Sequence, residues 1–263
     1  MTNKIWPDIF RLDNNVVVVT GAGLIGSKII RGLAEAGAKV IISDINEDLG
    51  KKLENELKED NLDVNFKKMD ITREDSVDDF INICNQEFGG INALVNTAYP
   101  RTDDWGKRDQ LLNYNSFKQN IKLHLGGYYL TSIKTAELMK KQGGGSIINL
   151  GSIYGISAPN FSIYEGTEMT TPIAYSAIKG GINMLTKYIA SYYGKYQVRA
   201  NVIAPGGVYD NQPDNFVSNY KKKVPLNRMA SADDIVGAAI FLVSNASSYI
   251  TGHILVIDGG FSI

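Results

Sequence analysis

The stretch Val16-Val17-Val18-Val19-Thr20-Gly21-Ala22-Gly23-Leu24-Ile25-Gly26 decides the fold. Four consecutive valines read as a strand covered on both faces, the environment of a parallel sheet. Three glycines then let the backbone reverse tightly, and Ser27–Ala36 carries helical spacing up to the stop at Gly37. In a strand–glycine turn–helix unit, the free N–H groups of the first helical turn point past the carboxyl end of the strand. A pyrophosphate is the anion such a cradle suits, so Gly21, Gly23, Ile25 and Gly26 are candidate phosphate contacts. The next strand candidate, Lys39–Ser43, runs into Asp44, 18 residues after Gly26. A carboxylate there accepts hydrogen bonds from both hydroxyls of an adenosine ribose and repels a 2′-phosphate. No Lys or Arg follows closely to neutralise one, so the reading is NAD in preference to NADP.

Outward from this unit, short apolar runs alternate with helical patterns. Val64–Lys67, Ile91–Asn96, Ser146–Leu150, Arg199–Ile203 and Ile254–Ile257 read as strands. Glu47–Glu59, Asp75–Phe88, Phe117–Lys140, Tyr175–Tyr193 and Ala232–Ser244 read as helices. With right-handed crossovers this predicts an α/β fold, a doubly wound parallel sheet (Rossmann-like) with helices on both faces. No linker or internal repeat divides the chain, so one domain over residues 1–263 is expected. Two long polar stretches, 97–113 and 151–172, follow strands and belong at the carboxyl edge, where open α/β sheets bind ligands. A third substrate loop is expected near 207–230.

Composition narrows the function. The 263 residues carry 27 basic and 28 acidic side chains, a balance that lacks the field of a nucleic-acid or anionic-membrane binder. The single cysteine, Cys84, and two histidines, His124 and His253, give no disulfide and no metal-ligand cluster, so no metal is expected. No apolar run is long enough to span a bilayer, and the N-terminus lacks a signal-peptide core. A soluble cytoplasmic protein is the expectation.

Tyr175-Ser176-Ala177-Ile178-Lys179 sets a tyrosine and a lysine one helical turn apart on one face. A nearby ammonium stabilises phenolate and draws the tyrosine pKa from about 10 toward neutrality, as proton transfer to or from a hydroxyl requires. Taken alone, such a pair also fits a surface contact between helix residues.

The pair has company. TGAGLIG, Asp44, Asp70-Ile71, VNTA at 95–98, IINLGSIYG at 147–155, YSAIK, Pro205-Gly206-Gly207 and the C-terminal TGHILVIDGG come in the order of the short-chain dehydrogenase/reductase family, which the chain resembles over nearly its whole length. The resemblance implies that Ser152 hydrogen-bonds the reacting oxygen, that Tyr175 is the acid/base, and that Lys179 holds the nicotinamide ribose and lowers the tyrosine pKa. It implies that Asp70 and Ile71 line the adenine pocket. Asn96 and Ala98 would border the adenosine ribose, and Pro205, Gly206 and Val208 would flank the nicotinamide. Relatives pair through the helices at 117–140 and 175–193, where Tyr192 and Tyr193 add aromatic surface, which implies a homodimer or homotetramer.

Departures from the family pattern are informative. The glycine turn is one residue shorter than TGxxxGxG, so rearranged phosphate contacts are expected. Thr97 and Tyr99 stand where Asn and Gly are usual, and Tyr99 brings an aromatic ring to the cleft rim. His124 aligns with the asparagine that completes the catalytic set and is expected to hold water or relay protons. Asn120, one turn earlier, is out of register for that duty. Asp210 replaces a threonine near the carboxamide. Ser152 and Tyr175 are 23 apart, about ten more than usual; the extra segment 160–172 carries Tyr164, Glu165, Thr167 and Glu168 and is expected to wall the substrate site with polar groups. Such a wall favours a small polar, polyhydroxylated substrate. Arg101, Lys107 and Arg108 are candidates for a phosphate or carboxylate. NTAYPR, HLGGYYLTS, IYEGTEMTTP and PGGVYDNQP are similar to the flagellin-modification branch of the family. That implies oxidation or reduction at a sugar or sugar-phosphate carbon, in bacterial surface or flagellar glycan (nonulosonic acid) synthesis. The alternatives are a general carbonyl or 3-oxoacyl-thioester reductase and, from another class, a catalytically silent dinucleotide-binding sensor or scaffold.

Overall fold

The computed structural model describes residues 6–106 and 113–263. Seven strands form one parallel sheet: β1 (Val16–Thr20), β2 (Lys39–Asp44), β3 (Val64–Lys68), β4 (Ala93–Asn96), β5 (Gly145–Leu150), β6 (Val198–Pro205) and β7 (Ile254–Ile257). Their order is β3-β2-β1-β4-β5-β6-β7. Construction runs outward from β1 in one direction, then returns to β4 on its other side. Between β1 and β4 the crossovers therefore diverge and leave a crevice at the carboxyl edge, where this fold class binds ligands.

Period-two alternation sorts the valines of β1. Val17 and Val19 pack with Ile29 and Leu33 of α1 (Leu24–Glu35) and with Leu242 of α8 (Asp233–Val243). Val18 faces the other layer, with Phe80 and Cys84 of α3 (Glu74–Phe88), Tyr128 of α5 (Gly126–Gln142) and Ile178 of α6 (Ile173–Tyr193). Helix α2 (Glu47–Glu59), capped by the Asn46 side chain on Leu49 N–H, adds Leu57 to the first layer. Both faces of the sheet are thus covered, as the unbroken apolar strands predict.

The expected helix over 117–140 is broken. Helix α4 (Tyr114–Asn120) meets α5 through a π-helical turn, Ile121–Leu125, in which Gly126 N–H reaches back to the Ile121 carbonyl. The extra residue in that turn shifts the helical register, and His124 comes to point inward, fully buried. A further helix, α7 (Asp214–Lys221), forms inside the expected 207–230 loop; eight largely polar residues carry too little periodicity to announce it. Behind the sheet edge lies a closed polar network. Asn96 Nδ2 donates to Asn149 Oδ1 at 2.8 Å and to Ser132 Oγ at 3.1 Å, while Thr20 and Thr131 hydroxyls donate to its Oδ1. The network pins β1, β4 and β5 to α5 directly under the crevice, which fixes the base of the site.

Candidate active site

The cofactor end is built by the glycine turn. Gly21 has φ +89°, and a Cβ there would lie 2.7 Å from the Ala98 backbone. At Gly26 a Cβ would meet the Gly21 carbonyl oxygen, so the start of α1 lies directly on the turn. Gly23, by contrast, would set its Cβ in open space, facing the cleft. It caps α1, whose first intrahelical bond, Ser27 N–H to Gly23 carbonyl, is 2.8 Å. The N–H groups before it are the free donors of the helix end. Shortening has not closed the cradle, because Thr97 supports it: its hydroxyl reaches the carbonyls of Thr20 (2.7 Å) and Gly21 (3.0 Å). This use of Thr97 was not read from the sequence; the departure from the usual asparagine was its signal.

Asp44, at the end of β2, accepts from Ala22 N–H at 2.7 Å and from Asn46 N–H at 2.8 Å, one bond to each oxygen. Each oxygen keeps a lone pair for a ribose hydroxyl. Asp70 is organised by Thr72, whose N–H and hydroxyl both donate to Oδ1, and Ile71 packs against Gly127. Gly21, Gly23, Ile25, Gly26, Asp44, Asp70, Ile71, Ala98, Pro205, Gly206 and Val208 all line one cleft of ≈ 880 Å³. The residues present therefore fit a dinucleotide: an open glycine, a free helix end and an acceptor carboxylate at its far end. Asn96 is a correction. Its side chain is fully buried in the polar network, so it shapes the cleft from beneath instead of bordering a ribose.

At the reaction centre, Pro172 starts α6 and Tyr175 stands in the first turn, with Lys179 one turn on. Both line the cleft with Ser152, which follows β5. The Ser152 hydroxyl stands beside the Tyr175 phenol and acts to lower its pKa, and its Oγ accepts from Tyr154 N–H at 3.1 Å. Lys179 is buried and donates to the Leu150 carbonyl at 2.7 Å. Burial pushes its pKa down to about 7. Burial also holds the Tyr175 pKa above its ordinary value, against the Ser152 hydrogen bond that lowers it. This differs from the expected net lowering: within the chain alone desolvation outweighs the neighbouring groups.

His124 lies behind this centre and outside the cleft wall. Neither ring nitrogen has a hydrogen-bond partner. Burial, then the charge of Lys179, keeps its pKa well below the ordinary histidine value, so the ring is neutral. It packs edge-on against Tyr99 at 5.0 Å and against Tyr128 at 5.1 Å. Asn120 is turned to other work: it accepts from Thr102 N–H at 3.1 Å and donates to the Thr102 hydroxyl at 2.8 Å, tying the loop after β4 to α4.

At the substrate end stand Tyr99, Arg101, Trp105, Tyr154, Tyr164 and Met169. Tyr154, Tyr164 and Thr171 line this wall together, and burial raises the pKa of both phenols. Segment 160–172 is anchored on α7, where Asn219 donates to the Glu165 carbonyl (3.0 Å) and Asn215 to the Gly166 carbonyl (3.2 Å). Ile163 joins Phe216 and Tyr220 in a small apolar cluster. Glu165 and Thr167 are corrections: neither lines the cleft, because the segment turns its carboxylates to solvent and the Thr167 hydroxyl to the Tyr164 carbonyl at 2.8 Å. The wall is consequently more aromatic than expected. Trp105 and Tyr154, which the sequence reading passed over, supply much of it. Asp210 lines the cleft and its N–H is held by Gln212. Lys107 and Arg108 lie outside the described residues. Among the described residues no group of three His, Cys, Asp or Glu side chains could hold a metal, and no helix is long and apolar enough to cross a membrane.

Comparison with known proteins agrees with this geometry. Residues 21–262 match a family model described as enoyl-(acyl carrier protein) reductase. The chain is 37% identical over 258 residues to post-translational flagellin modification protein A of Campylobacter coli, covering 96% of this chain and 100% of that one. A short-chain dehydrogenase from Leptospira borgpetersenii with bound NAD+ superposes with a TM-score of 0.85 at 32% identity, over 100% of this chain and 98% of that one. A gluconate 5-dehydrogenase from Burkholderia cenocepacia in complex with NADP and tartrate gives 0.88 at 29%, over 98% and 99%. With the glycine cradle and the Ser152–Tyr175–Lys179 centre in one cleft, the chain belongs to the short-chain dehydrogenase/reductase family, as an oxidoreductase on a fold that binds a nicotinamide dinucleotide.

Proposed function

We propose that the protein is an NAD-dependent oxidoreductase that interconverts a hydroxyl and a ketone on an anionic sugar or sugar phosphate, in bacterial surface or flagellar glycan (nonulosonic acid) synthesis. The observation that carries the chemistry is Tyr175, beside Ser152 and one helical turn from Lys179, in the same cleft as the open glycine cradle. Gly21, Gly23, Gly26 and Asp44 would hold the dinucleotide, which would supply the hydride acceptor and a positive charge when oxidised. Ser152 orients the reacting oxygen, Tyr175 takes or gives its proton, and the Lys179 ammonium stabilises the phenolate that results.

NAD in preference to NADP is supported by Asp44 and by the cations. The Lys and Arg residues among the described cleft lining are Arg101 and Lys179, both at or beyond β4 and away from the Asp44 end. A 2′-phosphate would face a carboxylate instead. The sugar reading is supported by the flagellin-modification relative and by the phenols of Tyr99, Tyr154 and Tyr164, which give hydroxyl partners and ring faces to a polyol. The described parts of 97–113, with 151–172 and 207–230, are taken as the substrate-facing segments of one domain. Arg101 has its guanidinium 5.4 Å from the Tyr99 ring centre and no ion pair among the described residues. It is the group placed to meet a substrate anion.

The test is NAD-linked turnover of neutral sugars, sugar phosphates, nucleotide-linked sugars and 3-oxoacyl thioesters, with Arg101→Gln beside the unsubstituted protein. Turnover of an anionic sugar is expected, with KM raised about tenfold in Arg101→Gln and kcat little changed. Preference for acyl thioesters would move the assignment to the reductase reading, which the apolar side chains Ile163, Met169 and Phe216 of the cleft favour. An unchanged KM would remove Arg101 from the site.

Tyr129, Met184, Tyr188 and Tyr192 on α5 and α6 are all about half exposed or more, with Tyr188 and Tyr192 stacked at 6.1 Å, and supply apolar surface for the proposed homodimer or homotetramer. Tyr193 belongs to the protomer's own core, its hydroxyl on Glu137 at 2.7 Å. Sedimentation equilibrium should give a dimer or tetramer mass, reduced by Tyr188→Asp; a monomer at micromolar concentration refutes the assembly. The nicotinamide chemistry and the buried free thiol of Cys84, its pKa pushed up to about 12 by desolvation, suit a cytoplasmic location.

A further inference from the structure

We propose that Tyr99 is a positioning residue: its ring, with those of Tyr128 and Tyr175, forms an aromatic cage that keeps the Lys179 head as an ammonium at the reaction centre. This rests on the Tyr175–Lys179 reading given above. The Lys179 nitrogen lies 5.7 Å from the ring centres of all three tyrosines. Those rings come from three places, the loop after β4, helix α5 and helix α6 itself. The nitrogen donates one hydrogen bond, to the Leu150 carbonyl. Among the described residues no carboxylate shifts its ionisation; desolvation is the influence on it, and desolvation favours the neutral amine. Ring faces within about 6 Å act the other way, since their electron density attracts a cation, and most strongly where water is excluded.

Tyr99 is the adjustable wall of the cage. Tyr128 is buried core and spends its hydroxyl on the Asn96 carbonyl, and Tyr175 is the acid/base. Tyr99 is held by His124 at 5.0 Å and Trp105 at 5.8 Å, both nearly perpendicular to it. The neutral state of His124 matters here: an imidazolium in that place would repel the ammonium. The two unusual residues therefore act together, the histidine as an uncharged brace and the tyrosine as the cation's wall. Among the described residues, the titratable or charged groups facing Lys179 or its cage are Tyr99, Tyr128, Tyr175 and His124, with Arg101 over the Tyr99 ring, Tyr154 against the Tyr175 ring, and Tyr164 near both Tyr99 and Tyr175.

The test follows Lys179 by NMR of enzyme labelled with [13Cε]lysine, saturated with NAD+, its resonance assigned by loss in Lys179→Arg. Tyr99→Leu should move the titration midpoint down by about one pH unit. The alkaline limb of kcat should move with it, since the ammonium is then lost at lower pH. Tyr99→Phe, which keeps the ring, should restore the midpoint. Pentafluorophenylalanine at position 99, which keeps ring shape and reverses its electrostatics, should behave as Tyr99→Leu; it carries the test if the leucine variant does not fold. An unmoved midpoint in both ring-lacking and fluorinated proteins overturns the proposal, as does Tyr99→Phe matching Tyr99→Leu. The titration needs no substrate. A shifted midpoint without sugar turnover would leave the cage standing and sink the sugar reading; turnover with an unmoved midpoint would do the reverse.

Discussion

Tyr175→Phe is expected to lower kcat about a thousandfold while leaving NADH binding within a few-fold. The substitution removes one oxygen from a side chain whose ring remains packed against Tyr99, Trp105 and Tyr154 at 6.2–6.3 Å. The cleft therefore keeps its shape. What is lost is the oxygen proposed to exchange a proton with the substrate, which stands beside Ser152. Stopped-flow turnover with a sugar-phosphate panel, beside a fluorescence titration with NADH, reads the two quantities separately. Retained turnover would remove Tyr175 from the chemistry. Loss of NADH binding in equal measure would mean that the phenol organises the cofactor site.

Asp44→Ala should weaken NADH binding about a hundredfold and NADPH binding far less, so the preference for NADH narrows. Two effects act in one direction. The carboxylate no longer accepts from the ribose, and it no longer ties Ala22 N–H of the glycine turn to the end of β2 at 2.7 Å. Asp44→Asn separates them: an amide oxygen can keep one backbone bond while giving up the negative charge. If that charge selects the cofactor, Asn and Ala variants should both narrow the preference, and only Ala should loosen the turn. Calorimetric titration decides it. Affinities for NADH within threefold of the unsubstituted protein would discard the ribose contact. Tighter NADPH than NADH in the unsubstituted protein would discard the cofactor assignment.

The strands were legible in the sequence to within two residues at either end, because a parallel strand covered on both faces is a local run of apolar side chains with no other satisfactory place. The glycine turn, Asp44 and the Tyr175–Lys179 spacing were legible for a related reason. Each depends on neighbours along the chain: a conformation only glycine tolerates, a strand end, one turn of helix. The single long helix expected over 117–140 failed at Ile121–Leu125, where one extra residue per turn leaves the apolar pattern nearly unchanged and redirects the side chains. Glu165 and Thr167 failed because position in a loop does not say which way a side chain faces. Anchoring of that loop on α7 through Asn215 and Asn219 turned them outward.

Sequence by itself thus determined the layered sheet and the glycine turn and singled out the candidate reacting side chains, since those follow from hydrophobic period, glycine conformation and short fixed spacings. Tertiary structure alone decided the surroundings of Lys179. Tyr99, Tyr128 and Tyr175 stand far apart in the chain, His124 turns inward only through the π turn, and ring geometry and desolvation exist only once the elements pack. The charge state of a buried lysine is set by that packing, and no pattern along the chain encodes it.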